Sequence, residues 1–530
     1  MFPRTQHRRL LLILAAFLLL ARPLPSAAGG GGPDRTRYFP LDHPAYDYLD
    51  RLQQAGKLLS LNPSLRPYTR GEVLAAVGRE KLRNPSPLEL GWLNWLAVDC
   101  EREYKTLAAA DSGNLGVTTR LEAGGRLRTL EPERERSRLG VGFGGALGRV
   151  VFDSRFLRAP YLMRASDQAD HRDPKVVPPD EDGLIRPMEG YLKADFPMFE
   201  GRYSAELFFG RMARNWSPQG MESLVLNGRA LSFDQLALRI RSPHLTLSQI
   251  VAALDPVDYH PAGSTELVRA RRFFSAHRLG IRVRDNLRFG ITETTIYGGP
   301  GRGWEPGLMN PLTSYRLLAI QDDERWSNNS FVALDGFAGL GGKINIRAQM
   351  LFDDFLRDKK IQNRWALSLG LDFCRLPLPG TNSARLEYSR ASSYAYNTFR
   401  PWERYLISGR PLGAQQGNDF YRLAAELTQY FDPSFDITAG LAYSGQGSLR
   451  ISSPVAGLLD SASLPFPAEP VEETLELMLS LRWQPADWCI LAASGGYSER
   501  SGVDNIAGQR LRRGYATVEL SLFRDIILSF

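Results

Sequence analysis

From Gly210 to Asn227 the chain reads Gly-Arg-Met-Ala-Arg-Asn-Trp-Ser-Pro-Gln-Gly-Met-Glu-Ser-Leu-Val-Leu-Asn. Arg211 and Arg214 precede Trp216, and Pro218 and Gly220 break the backbone between two strand-like stretches. An indole face stacks on a sugar ring, and a guanidinium meets a carboxylate through two parallel hydrogen bonds. With Asn227 as a further polar group, this segment is a candidate loop for a sugar bearing an acidic substituent. The same residues suit an inward-folded structural loop that fills space between strands, and both readings stand at this level.

His277 and Glu293 form a second constellation, with Arg282 between them. His277 and Glu293 fall in successive strand-like runs and are expected to face a common interior. A hydrogen-bonded structural histidine is the plainer reading, because no nucleophile pattern accompanies the pair. The candidate ligand set is therefore Arg211, Arg214, Trp216, Asn227, Arg282 and Glu293. The six histidines show no metal-ligand spacing, and phosphate-loop, zinc-protease and serine-hydrolase signatures are absent. Cys100, Cys374 and Cys489 are too few and too scattered for a disulfide framework and read as packing residues. No cofactor and no catalytic residue is implied.

These residues sit in a chain whose periodicity is mostly two. Tyr203, Ala205, Leu207 and Phe209 alternate with Arg202, Ser204, Glu206 and Phe208. Ile281 and Val283 alternate with Arg282 and Arg284; a turn at Asp285-Asn286 follows, then Leu287, Phe289 and Ile291 alternate with Arg288, Gly290 and Thr292. Trp365 to Phe373 and Leu475 to Trp483 repeat the pattern. One face is apolar and the other small or polar, as in half-buried strands. Arg202, Glu206, Arg282, Arg284 and Arg288 are expected to point into a polar lumen.

Before this β region lie two other kinds of sequence. Residues 1–28 read as an export leader: Arg4, Arg8 and Arg9, an apolar run from Leu10 to Ala21, and small residues at Ser26-Ala27-Ala28. The run is too short to span hydrocarbon about 30 Å thick. The leader carries four arginines and no acid, so the formal charge falls from +7 to +3 without it. Such a balance gives no case for nucleic-acid binding. After a Gly29–Pro33 lead-in, residues 34–110 read as a helical domain. Tyr46, Leu49 and Leu52 share a face ended by Gly56, Thr69 and Glu72 form a capping box, and Ser86 with Glu89 starts a helix carrying Leu90, Trp92, Leu93, Trp95, Leu96 and Val98.

Residues 111–530 are expected to form an all-β transmembrane barrel. Hydrophobic residues are 43% and charged residues 23%, and no later stretch suits a membrane helix. Many strands have the nine to eleven residues that a tilted crossing needs. Trp483 and Trp488 flank a turn as an interfacial girdle would. Ile526-Ile-Leu-Ser-Phe530 resembles the terminal signal read by the barrel assembly machinery. Glu131–Arg138, 165–185 and 451–474 are expected to be turns or loops. An apolar outer face implies outer-membrane lipid as a partner.

Residues 210–227 resemble the Wzi-type capsule assembly family. So do Phe273-Phe-Ser-Ala-His-Arg-Leu-Gly-Ile, Asn286–Glu293 with Tyr297-Gly-Gly299, Asn329–Asp335, and Gly409–Gly413 followed by Gly417-Asn-Asp419. The helical start, with Leu49, Ala55-Gly56 and Pro67, is similar too. The resemblance implies an eighteen-stranded barrel with an attached helical bundle. It also implies a non-enzymatic role binding or helping assemble surface or capsular polysaccharide in the outer membrane. A porin or transport channel is the competing function, favoured by an open lumen; a barrel lipase or glycosidase is the other.

Overall fold

The computed structural model describes residues 36–108, 116–128, 136–147, 149–158, 186–200, 202–218, 220–228, 232–261, 263–320, 327–354, 363–453 and 465–529. The expected leader, the Gly29–Pro33 lead-in, the 165–185 loop and Phe530 lie outside these residues, as do 131–135 and 454–464.

Among the described residues three helices come first: α1 Ala45–Gln54, α2 Arg70–Lys81 and α3 Pro87–Ala108. Thr69 and Glu72 form the expected reciprocal cap on α2. Ser86 and Glu89 exchange the same pair of bonds ahead of α3 (2.8 and 3.3 Å). Leu49, Leu52, Trp92, Leu93 and Leu96 bury into one core between the helices. Leu90 and Val98 do not join it. They face solvent, since a turn of 3.6 residues carries them off the stripe defined by Leu93 and Leu96.

Eighteen antiparallel strands then close into one sheet. They are β1 Gly116–Arg128, β2 Arg136–Leu147, β3 Val150–Arg158, β4 Arg186–Met198, β5 Tyr203–Met212 and β6 Phe233–Arg241. Next come β7 Leu245–Tyr259, β8 Val268–Arg284, β9 Leu287–Gly299, β10 Asn329–Leu340, β11 Ile344–Asp354 and β12 Arg364–Cys374. The last six are β13 Thr381–Ala391, β14 Phe420–Asp432, β15 Phe435–Gln446, β16 Glu472–Ala486, β17 Cys489–Ser501 and β18 Arg510–Ser529. Closure comes from β1, which pairs with β2 on one side and β18 on the other, Gly116 lying opposite Ser529. Every strand edge is thereby used up, the condition for backbone to cross hydrocarbon without orphaned polar groups. Arg136–Arg138 and Glu472–Thr474, expected in loops, begin strands instead, where their backbones join the ladder.

The alternation resolves as expected. Leu369 and Leu371 of β12, and Leu475 to Trp483 of β16, point outward and are exposed, while Ala366, Ser368 and Asp372 are buried within. Trp483 and Trp488 are both exposed beside their turn. Glu206 and Arg288 face the lumen, where Tyr38 and the Leu59 carbonyl meet them. Arg202 and Arg284 do not. Both sit exposed at tight turns, Arg284 just past a register shift that ends the inward alternation.

Among the described residues the tight turns lie at one end and the longer connections that follow β5, β9, β13 and β15 at the other. Barrels of this kind place tight turns in the periplasm and long loops outside. The helical bundle sits against the tight-turn end. Trp92 Nε1 donates to the Pro433 carbonyl (3.0 Å), Asn345 Nδ2 to Gln54 (2.7 Å), and Tyr48 to Gln484. Gly91 is required here: a Cβ on it would lie 2.3 Å from Pro433 Cγ.

Candidate functional site

The lumen is packed on the side of β4–β13, while the inward-facing Glu426 of β14 and Glu476 of β16 stay exposed across from it. Inside, Phe208, Phe233, Phe274, Phe331, Leu351 and Ala366 of the wall pack around Trp216, Leu224, Val225 and Leu226 from the 213–232 connection. Tyr396 and Tyr405 from 392–419 complete this core, their rings stacked 5.5 Å apart. The two connections lock together through backbone carbonyls. Tyr396 and Tyr405 donate their hydroxyls to Leu224 and Val225 (2.9 Å each), and Asn227 N donates to Leu412 (2.7 Å). Gln349, on the wall, donates to the Trp216 carbonyl (2.8 Å) and accepts from Leu224 N (2.7 Å). One residue of this plug even reaches the helical region: Asn215 and Arg66 exchange backbone hydrogen bonds of 3.0 and 3.1 Å.

Toward the tight-turn end the lumen becomes ionic. Arg278 forks onto Asp335 (2.7 and 2.9 Å), and Asp372 receives Arg347 (2.8 Å) and Arg385 (3.1 Å). Arg155 bridges Glu122 and Asp42 at 2.8 Å. On α3, Glu103 holds the Arg37 side chain and Arg37 N (2.7 Å each) with Arg70 at 3.3 Å. Burial alone would raise the Glu103 carboxyl; the two guanidiniums outweigh it and hold its pKa below the usual carboxylate value.

The six candidate ligand residues are not gathered in one place. Trp216 and Arg214 share the lumen core. Trp216 is 2% exposed, so its faces are covered by protein and as folded present no platform to an outside sugar. Arg214 is also buried, donating to Gln235 Oε1 with its guanidinium 4.7 Å from the Phe208 ring centroid. Asn227 lies at the seam between the two plug connections. Arg211 is on the outer wall near the long-loop end, paired with Asp234 at 2.6 Å. Arg282 lies at the tight-turn end beside the Pro243 carbonyl (2.6 Å).

Glu293 and His277 do meet, Oε2 to Nε2 at 3.3 Å, but not in the lumen. They share the face of Leu279, Phe289 and Ile291, which is the outer wall; the inward residues on these strands are Phe274, Arg278 and Ile296. The connection after β9 folds over them with two short helices, α4 Pro306–Met309 and α5 Tyr315–Ile320. Glu293 Oε1 accepts from Ser314 Oγ (2.9 Å) and Arg316 N (2.7 Å), so the carboxylate caps α5 from outside its own strand. His277 steadies that carboxylate. Its role is to fasten a helix.

A different group faces outward at the long-loop end. Trp402 sits 4.7 Å, ring to ring, from Tyr259 at the end of β7. Buried Arg272 fixes the segment from inside, donating to the carbonyls of Trp402 (2.9 Å), Arg404 (2.5 Å) and Leu406 (2.9 Å). Phe399 and Arg400 are exposed beside it, and Arg404 is half-buried with its Nε unpartnered among the described residues. Burial lowers the Arg404 pKa without removing its charge at neutral pH. Sequence reading missed this cluster. Its signal was present in Phe399-Arg-Pro-Trp-Glu-Arg404, an arginine–aromatic run at a proline break like that around Trp216.

The fold and its packing define a class: an outer-membrane β-barrel with loops folded into its lumen from one end and a helical bundle set against the other. The chain belongs to the capsule assembly protein Wzi family, whose model matches residues 159–510. Among solved structures it is similar to Escherichia coli Wzi, described as a carbohydrate-binding β-barrel involved in group 1 capsule assembly. That match has a TM-score of 0.60 at 13% identity and covers 93% of this chain and 100% of that one. Pseudomonas aeruginosa OprD gives a TM-score of 0.42 at 12% identity, over 78% of this chain and 94% of that one. No curated protein matches the sequence.

Proposed function

We propose that this protein binds surface or capsular polysaccharide at the long-loop end of its barrel and retains it non-covalently during capsule assembly. The observation that carries the reading is a plug of two loops packed in the lumen and crowned by an outward aromatic–arginine cluster. A plug packed on the wall narrows the lumen, which disfavours a transport channel, and it holds the outer loops as a fixed surface. The substrate class is a glycan with carboxylate or similar groups: Trp402 and Tyr259 supply faces for sugar rings, and Arg400 and Arg404 supply bidentate donors. Arg214, Trp216 and Asn227 enter this reading as supports that hold the loops beneath the cluster. The division into a leader (1–28), a helical domain (34–110) and a barrel (111–530) belongs to the same proposal, as do outer-membrane lipid around the wall and the barrel assembly machinery as partners in biogenesis.

The test is binding of the folded, heat-modifiable protein to purified capsular polysaccharide of its own host. Trp402→Ala and Arg404→Ala should each lower affinity about tenfold or more, a charge-assisted bond contributing ~1.5–3 kcal/mol. Folded wild-type protein with no affinity for its host's surface glycans would end the lectin reading.

A further inference from the structure

The arm formed by residues 300–320 occupies an unusual position for a long barrel loop. It does not enter the lumen, but lies against the outer wall over β7, β8, β9 and the start of β10, with Arg316 reaching the Asp353 carbonyl of β11 (2.6 Å). Two kinds of contact hold it there. Apolar ones join Phe273 and Tyr297 of the wall to Leu308, Tyr315 and Leu318 of the arm. Polar ones join Glu293 to Ser314 and Arg316, and Gln249 Nε2 to the Met309 carbonyl at 2.8 Å. Arg302 adds its guanidinium 5.3 Å from the Tyr297 ring centroid.

The wall beneath the arm continues the lipid-facing belt. On β9 the outward positions run Phe289, Ile291, Glu293, and on β8 Ile281, Leu279, His277. Phe289, Ile291 and Leu279 are exposed, as are Leu236 on one flank and Leu334 on the other. Each same-face step of two residues along a tilted strand climbs about 5 Å, against an apolar band about 25 Å tall. Glu293 is two steps above Phe289, roughly 10 Å, so it lies at a height that lipid occupies. A bare carboxylate–imidazole pair facing acyl chains is costly. The arm removes that cost by covering the pair.

The outer side of the arm is itself apolar: Leu312 is 84% exposed, Leu317 66% and Trp304 43%. We propose that the 300–320 arm is a membrane-interface element, with Trp304, Leu312 and Leu317 entering the outer leaflet at the boundary between headgroups and acyl chains. Its occupant is the lipid of that leaflet. Continuity with the lipid belt on both flanks selects lipid over glycan or a second copy of the chain. Tryptophan at the boundary with leucines beside it is the composition an interfacial segment uses.

The test uses the full-length protein in lipid vesicles, with a nitroxide on Leu317→Cys or Leu312→Cys. Unmodified protein, whose three cysteines are buried, sets the labelling background. Leu441→Cys on the lipid-facing wall and Phe399→Cys in the outer loops give the reference environments. Both arm labels should behave like the one at Leu441, relaxed more by oxygen than by a water-soluble nickel chelate. Vesicles with brominated acyl chains should quench wild-type fluorescence more than that of Trp304→Phe. Arm labels that follow Phe399, or equal quenching in both proteins, would place the arm in water and overturn the proposal. Dipolar broadening that vanishes on dilution with unlabelled protein would overturn it in favour of a second copy covering the arm.

Discussion

Replacing Trp216 with alanine should open the plug while the barrel wall survives. Trp216 is the largest apolar side chain in the lumen core and is covered on all sides by wall and loop residues. Truncating such a side chain costs about 3–5 kcal/mol in lost burial and cavity formation. The bonds that Gln349 makes run to backbone atoms of the plug and remain available. The loss therefore falls on the docking of the 213–232 connection against the wall and against 392–419. At 1.4 kcal/mol per tenfold change, the ratio of undocked to docked plug rises by about two to three and a half orders of magnitude. The wall, closed by its own ladder, does not depend on that docking. In planar bilayers the wild-type protein should be nearly silent and Trp216→Ala should show conductance bursts, both remaining heat-modifiable on a gel. A silent, fully folded Trp216→Ala protein that has lost glycan affinity would refute the reasoning and return Trp216 to the role of a sugar platform.

Other substitutions test other parts of the structure. Asp335→Ala leaves the buried Arg278 guanidinium unpaired and should cost about 3–5 kcal/mol, read as a lower denaturant midpoint for loss of the heat-modifiable form. Glu103→Gln should remove a pH dependence. Because the folded-state pKa lies below the ordinary 4.5, the ion pairs stabilise fully above that value and are lost as pH falls through the folded pKa. The helical bundle of the wild type should therefore loosen in acid, and the variant should be weaker at neutral pH and flatter across the acid range in protease-protection assays. Glu293→Gln exchanges a charged cap on α5 for a neutral one; a loss of about 1 kcal/mol should appear as several-fold faster amide exchange around Arg316 and Leu317, with β9 unchanged.

The wall was legible in the sequence because strand alternation is a local rule. Leu475 to Trp483 declare an outward face whatever lies elsewhere, and a closed barrel gives every such strand the same two environments. The helix starts were legible for the same reason, as Thr69 with Glu72 and Ser86 with Glu89 make bonds within four residues of each other. What alternation does not encode is which side of the sheet a distant loop will visit. Glu293 obeys the outward parity of Phe289 and Ile291. It looked like a lumen residue because a charged group on a lipid face makes sense only once α5 is known to cover it. Trp216 poses the opposite case. Its arginines and proline break describe an exposed recognition loop, and the same features serve a plug whose polar groups meet Gln235, Gln349 and Arg66 inside the barrel. Trp402 carries nearly the same local sequence and ends outward, because Arg272 holds its backbone at the rim rather than in the lumen. Two aromatic–arginine segments thus diverge through partners outside the segments themselves, Gln349 and Arg66 for one and Arg272 for the other each lying more than a hundred positions away in the chain. The partners, more than composition, decide which segment is offered to a ligand.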